Sequence, residues 1–484
     1  MSLRLSALVK RDLPADPEIA GVTADSRKVR PGFLFAALPG SKVDGAEFAA
    51  RAVAAGAAAV IADRDLGLSV PTVATPDPRR AYALAAANFW GRQPQTCVAV
   101  TGTNGKTSVA NFCRQIFARA GRTSASMGTL GVTVSHPDGR HEQVTPPGLT
   151  TPDAADVAEL LARITEMGVT HFAMEASSHG VDQRRLDAVK LTAAGYLNLT
   201  QDHLDYHGTM EAYRAAKLRL FETLLPRGGT AVLNADSDDF PAFAAAAVCA
   251  GQTILSVGEA GQGLKLVSRS LLPEGQRLEI LAHGRAFDVR LPLAGGFQAS
   301  NALVAAGLCL AAGLSLDEAF AGLEALEGAP GRLQRVGAGP RGGEAYVDYA
   351  HTPDGLETVL KALRPHVTGK LIVVFGAGGD RDRGKRPIMG RIAAELADVA
   401  IVTDDNPRSE DPAAIRAEVL EGAKGAKDIG DRREAIRAGA ALLGEGDILV
   451  VAGKGHEQGQ TVAGVTHPFD DVTETAQALE LVHG

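Results

Sequence analysis

The run "VAVTGTNGKTSVANF", which begins at Val98, places apolar residues before a turn of small residues and a lysine–threonine pair at the head of a helical pattern. That order suits phosphate. Backbone N–H groups of a Gly-containing turn can bond phosphate oxygens, and the helix N-terminus that follows adds partial positive charge. The residues that could do this are Gly102, Thr103, Asn104, Gly105, Lys106, Thr107 and Ser108. Lys106 would neutralise charge on a terminal phosphate, and the hydroxyl of Thr107 or Ser108 would reach Mg²⁺. The loop is shorter than the common GxxxxGK[ST] form, because position 100 is Val. Glu175 ends the apolar run "HFAMEASS"; near a triphosphate a carboxylate there is a hard ligand suited to Mg²⁺, and taken alone it reads equally well as a helix N-terminal or surface acid. The segment "NLTQDHLDYHG" at 198–208 gathers histidines and acids. Zinc would need three or four ligands with further support, and no additional partner is evident. Taken alone, His203 reads as a structural hydrogen-bonding residue and Lys217 as a helix-surface lysine.

These residues need a scaffold that brings strand ends together. "TCVAVTG", "THFAMEAS", "TAAGYLNLT" and "GTAVLNAD" are short apolar runs bounded by polar or glycine residues, with helical patterns between them. Such alternation predicts a parallel, doubly wound sheet. "KLIVVFGAGGD", "DVAIVTDDNP" and "DILVVAGKGHE" repeat the pattern near the C-terminus. Breaks at "WGRQPQ" (90–95) and "EGAPGRLQRV" (327–336) divide the chain into 1–90, 91–329 and 330–484, three α/β domains. An alanine-rich helix is expected over 46–59. Most of the strands end in polar, glycine-rich or charged clusters, where ligands bind in open α/β sheets.

Composition sets the bounds. The 484 residues are 45% hydrophobic and 22% charged, which is globular composition. A net charge of −8 disfavours non-specific nucleic-acid binding. Of the four cysteines none forms a CxxC pair, so buried reduced thiols are favoured over metal ligation. The apolar stretches are too short to span a bilayer, and the N-terminal residues lack a signal-peptide core, so no membrane association and a cytoplasmic location are expected.

The motifs "TGTNGKTS", "EASSHG", "NLTQDHLDYHG", "YRAAKLRLF", "GGFQASNAL", "GRLQRV" and "DYAHTPDGL" stand in the order found in the Mur ligases, which the chain resembles along its whole length. These ATP-dependent enzymes build the peptide of peptidoglycan precursors. In detail the resemblance is to the members that add 2,6-diaminopimelate as the third residue. It implies a domain for a UDP-sugar, a central P-loop ATPase domain on a parallel sheet, and a Rossmann-like C-terminal domain. It assigns Lys106 and Thr107 to ATP and Mg²⁺, and Glu175 and His203 to metal sites. Lys217 matches a lysine that family members carry as a carbamate, an anion able to bind metal. Asn301, Arg332 and Asp348, with His351 in the same motif as Asp348, match nucleotide-holding positions on both sides of the second break. ATP is therefore expected between two domains.

For the UDP-sugar substrate, the resemblance points to Ala24, Ser26, Ser41, Lys42 and Val43, and in the central domain to Thr150, Thr151, Ser177, Gln183 and Arg185. Leu149 stands where the family often has Asn. For the amino acid it points to Arg381, to Asp405, Asn406, Pro407 and Arg408 in "DDNPRSEDP", and to Gly453 and Glu457 in "GKGHE". The set is chemically coherent. Diaminopimelate has an amino-acid group at each end. Arg408 can grip the far carboxylate with two hydrogen bonds, Glu457 and the Gly453 carbonyl can hold the far ammonium, and Arg381 suits the other carboxylate. Lysine lacks that far carboxylate and would leave Arg408 unpaired. The competing view of Arg408 is a strand-end cap, or a partner for Glu410 or Asp411. Rival functions are a kinase or ATPase that forms no amide, a lysine-adding relative, and a dinucleotide-binding oxidoreductase suggested by "FGAGGD". That last segment is not GxGxxG, since Arg381 takes the place of its final glycine.

Overall fold

The computed structural model describes residues 2–40, 44–272 and 275–481. Contacts divide the chain into two compact units. The first comprises Met1–Leu266, Leu281–Arg285 and Asn301–Gly322, and the second Val267–Ile280, Ala286–Ser300 and Leu323–Gly484.

The first unit contains two parallel arrangements. Near the N-terminus, Gly21–Thr23, Phe33–Ala36, Ala59–Ala62 and Thr72–Ala74 pair in sequence order, all parallel. The helix expected over 46–59 is shorter. A 3₁₀ turn at Gly45–Phe48 leads into Ala49–Ala54, and Ala59 already begins the next strand. Gly56, at φ +101°, turns the chain between them, a backbone conformation an alanine would not adopt cheaply. The following helix, Pro78–Trp90, is capped by the Asp77 side chain and stopped by Gly91 in the left-handed conformation. Its buried face (Tyr82, Ala83, Ala86, Phe89) shares one apolar cluster with Ala154, Ala155 and Ala158 of the helix Ala154–Glu166.

In the central region the strands run Ser124–Gly128, His171–Glu175, Thr96–Thr101, Ala193–Tyr196, Thr230–Asn234 and Thr253–Gly258, mutually parallel. The four apolar runs named from sequence are four of these strands. The sheet is mixed rather than purely parallel, because Gly131–Ser135 folds back antiparallel on Ser124–Gly128 and His141–Thr145 on Gly131–Ser135. Gly131, at φ +78°, makes that tight reversal possible. Thr96–Thr101 and His171–Glu175 are adjacent, so the phosphate loop and Glu175 leave the same edge of the sheet.

The second unit holds a six-stranded sheet in the order Gln334–Ala338, Glu344–Asp348, Ile448–Ala452, Leu371–Phe375, Val399–Val402, Lys427–Asp428. The first pair is antiparallel and the others parallel. Leu371, Val373 and Phe375 enter one apolar cluster and Ile372 and Val374 another, so both faces of the strand are covered. That is why its sequence is continuously apolar rather than alternating. Among the described residues no helix is long and apolar enough to cross a membrane.

Candidate active site

The candidate phosphate loop is packed closely against its neighbours. Gly102 and Gly105 have φ of +159° and +89°. A Cβ on Gly105 would lie 2.3 Å from Asn301 Oδ1, so the loop and Asn301 approach as closely as glycine allows. The Asn104 N–H donates to Asn198 Oδ1 (2.9 Å), and Thr103 Oγ1 donates to the Thr200 carbonyl (3.1 Å) while accepting from the Thr200 N–H (2.9 Å). Lys106 opens the helix Lys106–Arg119, and its ammonium donates to the Gly102 and Thr103 carbonyls, both at 2.8 Å. Thr107 and Ser108 are buried in the first turn of the same helix.

Glu175 is buried at the end of its strand. Its Oε1 accepts the Thr129 N–H at 2.8 Å. A Cβ on Gly128 would sit 1.9 Å from that oxygen, so the carboxylate occupies space that only glycine leaves. Glu175 and Thr107 offer hard oxygen donors of the kind Mg²⁺ takes, with phosphate oxygens and water completing the shell. Among the described residues no group of three or more His, Cys, Asp or Glu is arranged to hold a metal unaided. The donor set therefore fits Mg²⁺ carried with a nucleotide rather than a closed protein cage.

Lys217 corrects the reading of a surface lysine: it is 1% exposed. It lies in the helix Met210–Arg219, which continues into a π-helical turn at Leu220–Leu224. Its ammonium donates to the Gly102 carbonyl at 2.8 Å and stands 4.3 Å from the centre of the Tyr213 ring. Burial, reinforced by Lys106, pushes its pKa well below the usual lysine range, and Asp202 opposes that shift. His203 is exposed, in the left-handed region at φ +53°, with Nε2 3.3 Å from Asp202 Oδ2. Its ring meets that of His179 at 4.9 Å, and His179 also packs on Tyr206 and His207. His179 was not singled out from sequence; the motif "EASSHG" contained it.

A cavity of about 120 Å³ opens among Leu38, Arg79, Tyr82, Leu149, Asp153, Gln183 and Arg185. Arg185 bonds the Thr151 carbonyl (2.6 Å) and Gln183 Oε1 (2.7 Å), and the Thr151 hydroxyl meets that of Ser177 at 2.9 Å. Ser177 caps the helix Ser178–Asp182. The Thr150 hydroxyl lies 3.1 Å from that of Thr129, whose N–H holds Glu175. This region thus joins the cavity residues to the Glu175 strand end. Ala24 and Ser26 are half-buried just beyond the strand Gly21–Thr23, and the Ser26 hydroxyl accepts from Arg51. Ser41, Lys42 and Val43 lie outside the described residues.

In the second unit, Asp348 ends its strand with Oδ2 accepting the Leu333 N–H (2.6 Å) and Oδ1 the Ala350 N–H (2.8 Å). Burial pushes its pKa up to about 6, and Arg332 works against that. The Arg332 guanidinium lies over the Tyr349 ring at 4.6 Å, and Tyr349 packs on His351 and His456. Arg332 Nε and His456 Nδ1 are enclosed without a hydrogen-bond partner.

Nearby strand ends assemble a charged cluster. Asp405, Asn406 and Pro407 are buried, and Asn406 Nδ2 donates to Glu457 Oε2 at 2.9 Å. A Cβ on Gly453 would fall 2.5 Å from Asp405 Oδ2. Arg408, at φ +53°, is clamped by backbone bonds to Thr461 and Ala463, and its guanidinium donates to the Gly379 carbonyl at 2.6 Å. It does not pair with Glu410 or Asp411. Glu410 binds Arg386 at 2.8 Å, and Asp411 caps the helix Pro412–Leu420. Arg381 sits exposed on the loop 376–384 and is not drawn into the cluster. Sequence reading missed Lys454, which is fully buried between Asn406, Asp405 and Glu457. The signal was present, since Lys454 stands inside "GKGHE" between Gly453 and Glu457.

Three family models match: the Mur ligase middle domain over 100–309, the Mur ligase glutamate ligase domain over 331–455, and the Mur ligase family catalytic domain over 18–88. A curated protein of Caulobacter vibrioides, named UDP-N-acetylmuramoyl-L-alanyl-D-glutamate–2,6-diaminopimelate ligase, is 71% identical over 482 residues, covering 99% of each chain. The chain belongs to the Mur ligase family. A relative of the same name from Rhizobium meliloti is 54% identical, covering 98% of this chain and 97% of its own. Among solved structures, a ligase of that name superposes with a TM-score of 0.76 at 35% identity, covering 100% of both chains. A Thermotoga maritima MurF ligase in complex with ADP shares the Mur ligase fold at a TM-score of 0.62 and 19% identity.

Proposed function

We propose that this Mur ligase joins meso-2,6-diaminopimelate to the D-glutamate of UDP-N-acetylmuramoyl-L-alanyl-D-glutamate, using ATP, as a cytoplasmic step of peptidoglycan precursor synthesis. The likeness along the whole chain to diaminopimelate-adding ligases carries the reading, and the charged cluster around Arg408 and Glu457 supports it. The functional domains on this reading are 1–90 for the UDP-sugar, 91–329 for ATP and 330–484 for the amino acid.

A carboxylate is a poor electrophile, so the reaction needs an activated acyl group. The glutamate carboxylate attacks the γ-phosphorus of ATP, ADP leaves, and an acyl phosphate forms. The amine of diaminopimelate attacks the acyl carbon, a tetrahedral oxyanion develops, and phosphate departs as the nitrogen loses its proton. Lys106 exchanges its bonds to Gly102 and Thr103 for phosphate oxygens and offsets charge on the transferring group. The loop N–H groups and Asn301 hold the phosphates, while Arg332 and Asp348 serve the rest of the nucleotide. Thr107 and Glu175 would hold Mg²⁺, with His203 and a carbamylated Lys217 at a further metal position, and the ion supplies charge neutralisation on the phosphates. Ala24, Ser26, Ser41, Lys42, Val43, Thr150, Thr151, Ser177, Gln183 and Arg185 bind the UDP-sugar substrate. Arg381, Asp405, Asn406, Pro407, Arg408, Gly453 and Glu457 hold diaminopimelate, so that its amine waits beside the acyl carbon.

The test is ADP release and tripeptide formation with the UDP-dipeptide, ATP, Mg²⁺ and bicarbonate, comparing meso-diaminopimelate with lysine. Turnover should require all three substrates and favour diaminopimelate. ADP release without a new amide would make the chain an ATPase instead.

A further inference from the structure

Lys454 has no exposed surface, yet it carries an ammonium group. Burying such a group is costly unless its hydrogens are satisfied. Its Nζ donates to Asn406 Oδ1 at 2.9 Å and stands 3.8 Å from Asp405 Oδ1 and 3.6 Å from Glu457 Oε2. The Thr461 N–H donates to the same Asn406 oxygen at 3.0 Å. Two donors on one atom settle which end of the carboxamide is oxygen, because an NH₂ group there would face two other donors. The remaining nitrogen of Asn406 must then point the other way, and it donates to Glu457 Oε2 at 2.9 Å. The order Lys454, Asn406, Glu457 is thus a directed relay of hydrogen bonds, ending on a half-buried carboxylate.

We propose that Lys454 is a positioning residue for the amino-acid nucleophile: through Asn406 it fixes the carboxylate of Glu457 that receives the substrate's far ammonium. This rests on the proposed diaminopimelate reading of the site. Lys454 touches no substrate itself. Its near-contact with Glu457 also limits the negative charge gathered by Asp405 and Glu457 when the site is empty, so the pocket neither repels the incoming carboxylate groups nor collapses on itself. Without the ammonium, only the Thr461 N–H holds the Asn406 oxygen, so the amide is less firmly fixed and Glu457 loses both its well-oriented donor and the nearby positive charge.

The experiment is steady-state kinetics of Lys454→Met in the full chain, with each substrate varied in turn. KM for meso-diaminopimelate should rise about tenfold or more, the effect of losing a hydrogen bond to a charged group. KM for ATP and for the UDP-dipeptide should stay within about twofold. In a cycle with Glu457→Gln, the two substitutions together should cost little more than Glu457→Gln alone, because one acts through the other. An unchanged KM for diaminopimelate, or fully additive effects, would overturn the proposal. A parallel rise in all three KM values would do so as well. If Lys454→Met fails to fold, Asn406→Asp decides. It keeps the acceptor for Lys454 and Thr461 but removes the donor to Glu457, so the same selective rise is expected and its absence refutes the relay. Wild-type protein that fails to ligate diaminopimelate would refute the functional reading itself, a result distinct from active protein whose variants behave normally.

Discussion

The ammonium groups of Lys106 and Lys217 converge on one atom, the carbonyl oxygen of Gly102, each at 2.8 Å. Lys217 is fully enclosed, and burial, with repulsion from Lys106 as the smaller cause, holds its pKa well below the ordinary value. A neutral amine is the form that attacks CO₂, so the arrangement favours a carbamate on Lys217, which would replace cation–cation repulsion by attraction to Lys106. We expect a ¹³C carbonyl resonance of a carbamate when the protein is held in ¹³C-bicarbonate, absent from Lys217→Ala. Activity of the wild type should fall when CO₂ is removed and return when it is restored. An unmodified lysine in fully active protein would sink the expectation.

If Glu175 holds Mg²⁺ as proposed, Gly128, which is no ligand itself, should affect metal binding. Its missing Cβ leaves the space filled by Glu175 Oε1, 1.9 Å from where that atom would be. Gly128→Ala must push the carboxylate off the Thr129 N–H. Disturbing the support of a ligand typically weakens metal binding about 10- to 100-fold. The Mg²⁺ concentration giving half-maximal activity should therefore rise by about tenfold or more, with partial recovery of rate at high Mg²⁺. An unchanged Mg²⁺ titration would separate Glu175 from the metal.

Legibility in the sequence followed the range of each interaction. The strand, turn and helix around the candidate phosphate loop were readable because the signal is local: Gly102, Gly105 and Lys106 lie within one turn. The parallel strands were readable because burial on both faces leaves unbroken apolar runs such as "LIVVF". Lys217 was not, since nothing within "YRAAKLRLF" reveals that Gly102, 115 residues away in sequence, closes over it. The competing partners of Arg408 could not be separated from sequence either. The choice depended on Arg386, which arrives from the helix Lys385–Leu396 to occupy Glu410. The antiparallel hairpin beside Ser124–Gly128 escaped notice because its outer strand, His141–Thr145, is largely exposed and polar.

His456 carries a pH dependence. Burial, with Arg332 adding a smaller effect of the same sign, lowers its pKa to about 4, and Nδ1 has no partner. An unfolded histidine titrates near 6.5, so between about pH 6.5 and 4 the unfolded chain binds the extra proton and stability falls on acidification. From pH 7 to 5 this one group should remove on the order of 1–2 kcal/mol. His456→Gln should lose correspondingly less over the same interval, read from the shift of the denaturation midpoint with pH. Equal acid sensitivity of variant and wild type would contradict the assignment.

On the proposed reading, Arg408 sets the preference between two amines. Its backbone is pinned at both ends by Thr461 and Ala463, and among the described residues its guanidinium makes one hydrogen bond, to the Gly379 carbonyl. The other N–H groups remain available for a carboxylate. Meso-diaminopimelate supplies that group and lysine does not, so the arginine stays desolvated and unpaired with the wrong substrate. Sites of this kind discriminate by about 10⁴-fold or more. In Arg408→Ala, kcat/KM for diaminopimelate should fall by roughly 10²–10³, while the slow reaction with lysine changes little, so the ratio narrows. Arg408→Lys separates support of the loop from recognition. A lysine can still donate to Gly379, but it lacks the planar fork that binds a carboxylate twice, and it should recover little of the preference. If it recovered nearly all of it, a single positive charge would suffice and the two-bond grip on the far carboxylate would be wrong.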